Sequence, residues 1–283
     1  MPDDVKPHLT IRPGSGWAAL NLAEVWQFRD LLFTLAGRDI KVRYKQTFLG
    51  VLWVILQPVI GAGVFTVIFG KVLDVKTGNT PYFLVAYSSL LGWNLFSGVL
   101  GKASGCLVGN AGLISKVYFP RFILPLNAIP STIFDFGIAL VIMIPLLIRY
   151  HIFPGPALLL LPLWIAMLIA AALGVGLVTA ALMVSYRDVA YILPLVTQML
   201  FYACPVIYTA ANVMQSDKLQ PWMKNLYFLN PMASLLEAFR WSIVGEGQFR
   251  PLYLCYSFAL IAIFFVAGLF SFKRMERRFA DVV

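Results

Sequence analysis

The sequence specifies an all-α polytopic membrane protein: six transmembrane helices, an N-terminal amphipathic interfacial helix and a re-entrant outer hairpin. Three observations predict this. Of 283 residues 60% are apolar and only 12% charged, against about 45–50% and roughly 25% in soluble domains, which leaves too little polar surface to cover a globule. The apolar residues gather in runs long enough to cross a bilayer. The 22 basic residues that set the net charge of +9 fall mostly on one side of those runs. A cytosolic enzyme, a disordered chain and a secreted disulfide scaffold are excluded together, and the charge reads as orientation rather than nucleic-acid binding.

Residues 1–47 form a cytoplasmic N-terminus, and 21–46 within it read as the amphipathic helix. Gln27, Asp30, Thr34, Arg38, Lys41 and Lys45 make one polar stripe at helical spacing, opposite Leu22, Val25, Trp26, Phe33, Ile40 and Tyr44. A basic stripe facing Trp, Phe and Leu suits a helix lying among lipid headgroups, although the same periodicity also fits a soluble helix packed on a partner. Arg38, Lys41, Arg43 and Lys45 stand immediately before the first span. Such cations hold the inside topology and attract anionic lipid; gripping the diphosphate of a lipid-linked substrate is the sharper alternative. The first fifty residues carry no cleavable signal pattern, so the first span is the expected anchor.

The six spans fall near 48–69, 82–100, 122–148, 157–184, 189–209 and 252–272, a transmembrane domain of 48–272. Their internal prolines (Pro58, Pro125, Pro130, Pro145, Pro162, Pro194 and Pro205) are tolerated in membranes, where neighbouring helices re-satisfy freed backbone groups. An even number of spans puts both termini on one side. Placing that side in the cytoplasm leaves fifteen of the 22 Lys and Arg inside, as the positive-inside rule requires. Residues 273–283 are then a basic cytoplasmic tail.

Two connecting segments are more than connectors. Residues 101–121, on the cytoplasmic side, are punctuated by Gly101, Gly105, Gly109 and Gly112, and Asn110 is placed to cap a short helix through Leu113, Ile114 and Val117. Apolar residues on that face suggest a docking surface. Residues 210–250 form the large outer segment. There Asn230-Pro231 starts a helix, Met232, Leu235, Leu236, Phe239 and Ile243 mark its apolar face, and Gly245 stops it. Trp222, Met223, Leu226 and Tyr227 form a shorter apolar piece before it. Fourteen residues are too few to span, which predicts a re-entrant or interfacial hairpin, either lid or anchor.

The residues of common catalytic chemistry are missing. The phosphate-loop pattern GxxxxGK[ST] does not occur, nor does HExxH. Cys106, Cys204 and Cys255 lie far apart and the only histidines are His8 and His151, so neither a disulfide framework nor a metal site is expected. Asp135 is the one acid well inside a span; it reads either as a functional group or, more readily, as a satisfied structural one beside Asn127, Ser131 and Thr132. The spans offer aromatic rings instead: Trp53, Phe65 and Phe69 in the first, and Gln198, Phe201, Tyr202, Pro205 and Tyr208 following helical spacing in the fifth. Such rings commonly pack or form belts, yet they also suit the C–H faces of sugars.

Four pieces resemble, in order, the membrane subunits of type-2 ABC exporters that move polysaccharides, the O-antigen exporter permeases above all. Residues 38–50, RDIKVRYKQTFLG, run into Leu52-Trp53 and Gln57-Pro58; Lys116-Val117-Tyr118-Phe119-Pro120-Arg121 precede the third span; Ser185-Tyr186-Arg187-Asp188-Val189 turn between the fourth and fifth; and Asn230-Pro231-Met232 open the last outer helix. The resemblance covers roughly residues 25–278. It implies a bacterial inner-membrane half-transporter, not an enzyme, in which two copies form the channel and a separate ATPase subunit binds ATP and Mg. It implies that Leu113, Ser115, Lys116, Ser185, Tyr186, Arg187 and Asp188 contact that ATPase, and that Trp53, Phe65, Phe69, Gln198, Phe201, Tyr202 and Tyr208 line the conduit. It further implies an undecaprenyl-diphosphate-linked polysaccharide as cargo, with Arg38, Lys41, Arg43 and Lys45 at its headgroup. Capsule, teichoic acid and small-molecule exporters share the topology. A membrane enzyme acting on polyprenyl phosphates would need clustered acids or an acid–His set, which the sequence lacks.

Overall fold

The computed structural model describes residues 22–45, 50–217, 219–247 and 250–276. The N-terminal 21 residues, the first-span approach at 46–49, Lys218 and the tail beyond 276 lie outside the described residues. Those described form helices and no strand. They are α1 (Leu22–Gln27), α2 (Arg29–Lys45), α3 (Val51–Phe65), α4 (Tyr82–Gly109), α5 (Ala111–Ile114), α6 (Ile123–Leu126), α7 (Ala128–Arg149), α8 (Leu161–Ser185), α9 (Val189–Ala203), α10 (Ala210–Gln215), α11 (Pro221–Leu229), α12 (Pro231–Val244) and α13 (Pro251–Glu276). A π-helical stretch, Thr66–Val72, prolongs α3, and a 3₁₀ turn, Pro156–Leu160, leads into α8.

Among the described residues five helices are long and apolar enough to cross a membrane, where the sequence predicts six: Val51–Val72, Tyr82–Gly109, Ile123–Arg149, Pro156–Ser185 and Pro251–Met275. The expected fifth span, 189–209, is helical only over Val189–Ala203. Fifteen residues rise about 22 Å at 1.5 Å each, short of a hydrocarbon core of about 30 Å. The helix stops because Cys204 is extended (φ −103°, ψ 156°) and Pro205 follows. Pro58, Pro145 and Pro194, by contrast, stay inside unbroken helices. The second long helix runs further than expected: α4 continues through Gly109, so residues 101–109 of the 101–121 segment are part of that helix rather than connector.

The core is built around α4, of whose most apolar stretch 78% is buried, against 11% for α3. It packs chiefly on α8, and α8 on α13. At the second of these contacts glycine is required: a Cβ on Gly268 would stand 2.4 Å from the Gly174 carbonyl oxygen, so the two backbones touch directly. A smaller core at one end gathers Leu35 of α2, Leu107 of α4, Phe119 and Ile123, Leu177 and Ala181 of α8 and Phe272 of α13.

At the opposite end of α4, α12 completes the main core. The Asn230 side chain accepts from the Met232 N–H at 3.0 Å, Pro231 occupies the first turn, and Gly245 ends the helix in the left-handed region (φ 75°), all as predicted. The burial exceeds the prediction. Twelve of its fourteen residues are enclosed, Glu237 and Arg240 among them. Arg240 pairs with Glu237 through Nη2 and donates from Nη1 to the Ser89 hydroxyl of α4 (3.0 Å) and the Pro205 carbonyl (3.0 Å), while its Nε reaches the Glu246 carbonyl (3.3 Å). Glu237 also accepts from the Ala210 N–H at 2.7 Å. One side-chain pair thus fixes α12, α4, the turn after α9 and the loop after α12. Trp164 of α8 adds a 2.7 Å bond to Ser242. This enclosure makes α12 a core element rather than an interfacial anchor; α11, with Trp222 and Leu226 exposed, is the outward half of the hairpin.

Replacing Arg240 with Met should cost about 3–5 kcal/mol, because Glu237 is left charged and enclosed without its partner. The double replacement Arg240→Met/Glu237→Met should recover much of that loss. Thermal unfolding of the purified variants checks this; a single variant as stable as the parent would show that the pair does not hold the hairpin.

Candidate functional site

Asp135 lies one and a half to two turns into α7 from the end where α2 docks. Its carboxylate accepts from the Arg43 guanidinium and the Tyr44 hydroxyl, both on the last turn of α2. Lys102 of α4 stands 3.7 Å away and donates to Ser131 at 2.9 Å. The acid is therefore a satisfied group, as the simpler reading of the sequence has it, but not through the neighbours proposed there. Thr132 bonds its own helix backbone (Ala128 O, 2.8 Å), and Asn127 donates to Asp39 of α2 at 2.7 Å. Burial pushes the Tyr44 hydroxyl above its ordinary value, and the bond to Asp135 adds to this, so the phenol remains a donor.

Two clefts meet at this cluster. A cleft of about 470 Å³ lies along α2 between Arg38, Asp39, Arg43 and Tyr44, with Lys102, Ser131 and Asp135 on its far wall. A second, of about 410 Å³, runs between α3, α4 and α7 past Gln57, Asn94, Ser97 and Thr132. Arg43, Lys102 and Asp135 line both. Of the four cations predicted at a headgroup, the structure brings Arg38 and Arg43 to the first cleft; Lys41 and Lys45 are exposed and do not line it. Arg38 is held by Asp39 (3.0 Å) and Asn110 (3.4 Å). Asn110 thus precedes a short helix, α5, but its side chain donates back to the Cys106 carbonyl instead of capping it. The predicted polar stripe of α2 is exposed; of its apolar residues Val25 packs inward with Phe28, Leu31, Leu32 and Leu35, whereas Trp26 and Phe33 point away from the protein.

The predicted conduit residues separate into two groups. Phe65 and Phe69 of the first span and Phe201 of α9 meet in a cluster with Trp93 of α4: ring centroids lie 6.1 Å apart for Phe65–Phe201 and Phe65–Phe69, and 5.4 Å for Trp93–Phe201. Tyr202 sits edge-on to Phe201 at 5.4 Å, is itself exposed, and is held by Gln198 (3.2 Å) and by the Tyr208 hydroxyl on its carbonyl (3.0 Å). Trp53 stands apart, exposed on another stripe of α3 with Ile60 and Val64. No residue of α9 is buried, and α3 buries only Pro58 and Ala62. Both helices present bare faces.

At the other end, Ser115, Lys116, Ser185, Tyr186, Arg187 and Asp188 are all exposed, while Leu113 is half-buried. Leu113, Ile114 and Val184 pack on the same small core, so the α5 segment and the turn after α8 share one end of the molecule. Tyr118 reaches from this segment to Glu24 of α1 at 3.3 Å.

The ABC-2 type transporter family model matches residues 30–244, covering every helix from α2 to α12. The chain belongs to the ABC-2 type transporter family. It is a membrane permease subunit, multi-pass, and not a catalytic enzyme. The permease is 28% identical to the O-antigen export system permease protein RfbA of Myxococcus xanthus across 89% of this chain and 96% of that one. It is 27% identical to the protein of the same name from Klebsiella pneumoniae, over 90% and 95%. The polysialic acid transport protein KpsM of Escherichia coli is 21% identical over 74% and 81%.

Two parts of the site escaped the sequence reading. Lys102 was counted with a connector, although the apolar run Ala103, Cys106, Leu107 and Val108 behind it continues the helix. Glu237 and Arg240 were not singled out, although an acid and a base three apart on an apolar helix can compensate each other. Phe201 is the centre of the aromatic cluster, so Phe201→Ala should loosen α9 and lower the melting temperature. The cost should be about 1–2 kcal/mol for rings only partly enclosed. Phe201→Tyr should keep most of the stability; an unchanged melting point for the alanine variant would show that the cluster does not hold α9.

Proposed function

We propose that this permease forms the channel of an ATP-driven exporter that carries a lipid-linked polysaccharide of the O-antigen type from the cytoplasm across the bacterial inner membrane. The observation that carries this reading is the pair of uncovered helices. A helix meeting lipid alone has no use for an exposed glutamine within its length, yet α9 leaves Gln198 exposed with Tyr202 one turn on, beside a ring cluster, and α3 leaves Gln57 exposed with Trp53 one turn before it. A second copy set against these faces encloses a passage in which tyrosine and glutamine bond sugar hydroxyls and rings pack on their C–H faces. The curated relatives named for O-antigen export, aligned over nearly their whole length, support the same cargo.

In this reading α9 crosses together with the turn 204–209 that Arg240 secures, making six crossings and leaving both termini in the cytoplasm. The basic excess on that side supports it. The diphosphate of the carrier lipid meets Arg38 and Arg43, the two of the four predicted cations that line the cleft along α2. A separate ATPase, two copies per homodimer, docks on Leu113, Ser115, Lys116 and the turn Ser185–Asp188. Nucleotide binding moves those segments, and α1 and α2 with them through Tyr118–Glu24, Arg38–Asn110 and Asn127–Asp39, so that the two copies of α3 and α9 part.

Deleting the gene should abolish surface polysaccharide and leave lipid-linked glycan accumulating in the cytoplasm; surface glycan at parental levels would overturn the export reading. Arg187→Ala, at an exposed turn with no part in the core, should weaken co-purification of the ATPase several-fold while leaving the permease folded. Full retention of the ATPase would remove the turn from the docking surface.

A further inference from the structure

Lys102 is a half-buried cation two turns from the end of α4, the most enclosed of the long apolar helices, where an ionised side chain calls for a reason. The ammonium has three donors; one is directed at Ser131 at 2.9 Å, and Asp135 stands beside it at ion-pair distance, 3.7 Å. Asp135 gives its two oxygens to Arg43 and Tyr44. The three ionised groups Arg43, Lys102 and Asp135 sum to one net positive charge, and all three line both clefts. Asp135 is already paired with Arg43 and Tyr44, and Lys102 adds a second cation that faces open volume in both clefts.

We propose that Lys102 and Arg43 form the inner half of an anion-binding site for a phosphate- or diphosphate-bearing headgroup, in which Asp135 acts as an internal counter-anion that an incoming phosphoryl group displaces. This rests on the reading that a lipid-linked diphosphate meets the cations of α2, and it extends that site from the surface cleft into the membrane. The phosphoryl oxygens take the positions facing Lys102 and Arg43, and the sugar next to them reaches the second cleft, where Gln57, Asn94 and Ser97 offer amide and hydroxyl partners. Displacing Asp135 from Arg43 also removes the strongest bond between the end of α2 and α7. No bond is made or broken in this exchange; one anion replaces another.

The sign of one substitution separates this from a structural ion pair. Farnesyl diphosphate serves as the probe, with farnesol and inorganic diphosphate beside it, titrated calorimetrically into the full-length permease in phosphatidylcholine nanodiscs. The parent protein should bind farnesyl diphosphate more tightly than either control. Lys102→Gln should weaken that binding about tenfold or more, the loss of roughly one charge-assisted bond, and Lys102→Arg should retain most of it. Asp135→Asn should tighten it several-fold, because the competing anion is gone; a merely structural carboxylate would, when removed, weaken binding or leave it unchanged. A folded Asp135→Asn protein that binds no more tightly, or a Lys102→Gln protein that binds as the parent does, overturns the proposal. Should Asp135→Asn fail to fold, the contrast between the two Lys102 variants decides alone. Inorganic diphosphate bound as tightly as farnesyl diphosphate would overturn the lipid headgroup as ligand. A parent protein indifferent to the diphosphate defeats the headgroup reading itself. Diphosphate-selective binding that Arg38→Gln weakens, but neither Lys102→Gln nor Asp135→Asn alters, defeats only this extension.

Discussion

The Arg240 guanidinium is the constraint on which the α12 end of the molecule depends. A fourteen-residue helix enclosed in the protein has both ends, and the turns around it, in a place where water cannot satisfy them. Arg240 meets that requirement from one position. It donates to a hydroxyl on α4, to carbonyls in the turn after α9 and the loop after α12, and to Glu237, which in turn holds the start of α10. The positions of α9, α10 and α12 follow from it, since each would otherwise present an unpaired backbone group to a dry interior.

Set around this pin, the helices divide by how firmly they are held. Helices α4, α8, α12 and α13 share one apolar core, and α7 joins it through Phe136, Ala139 and Met143. Helices α2, α3 and α9 bury less: α2 is held by Leu35 in the smaller core and by the polar cluster at Asp135, and α3 by Pro58, Ala62 and the knot of rings it shares with α9. The elements with bare faces are the ones whose displacement disturbs the least buried surface.

Local chemistry was legible in the sequence and long-range chemistry was not. The start and stop of α12 could be read from Asn230-Pro231 and Gly245, because caps act within a turn of the residues that make them. The five long helices were legible from hydropathy. The end of α9 was placed six residues late, since Cys204, Val206 and Ile207 are as apolar as the helix before them and only the extended backbone at Cys204 sets them apart. The partners of Asp135 lie 91 and 92 residues away for Tyr44 and Arg43, a pairing that no local pattern encodes. Lys102 was hidden by its glycines: Gly101, Gly105 and Gly109 suggested a loop, yet in a membrane helix small residues mark close packing as readily as a break.

The backbone contact between Gly174 and Gly268 has a mechanical consequence. Two helices that touch through carbonyl and Cα cannot turn about their axes or slide by a residue, because any such step drives a side chain into the neighbouring main chain. Helices α8 and α13 therefore behave as a single girder, and with α4 bound along α8 the girder extends through the middle of the subunit. A displacement at the turn after α8 is therefore shared by α8, α13 and α4 together instead of being taken up by sliding between them.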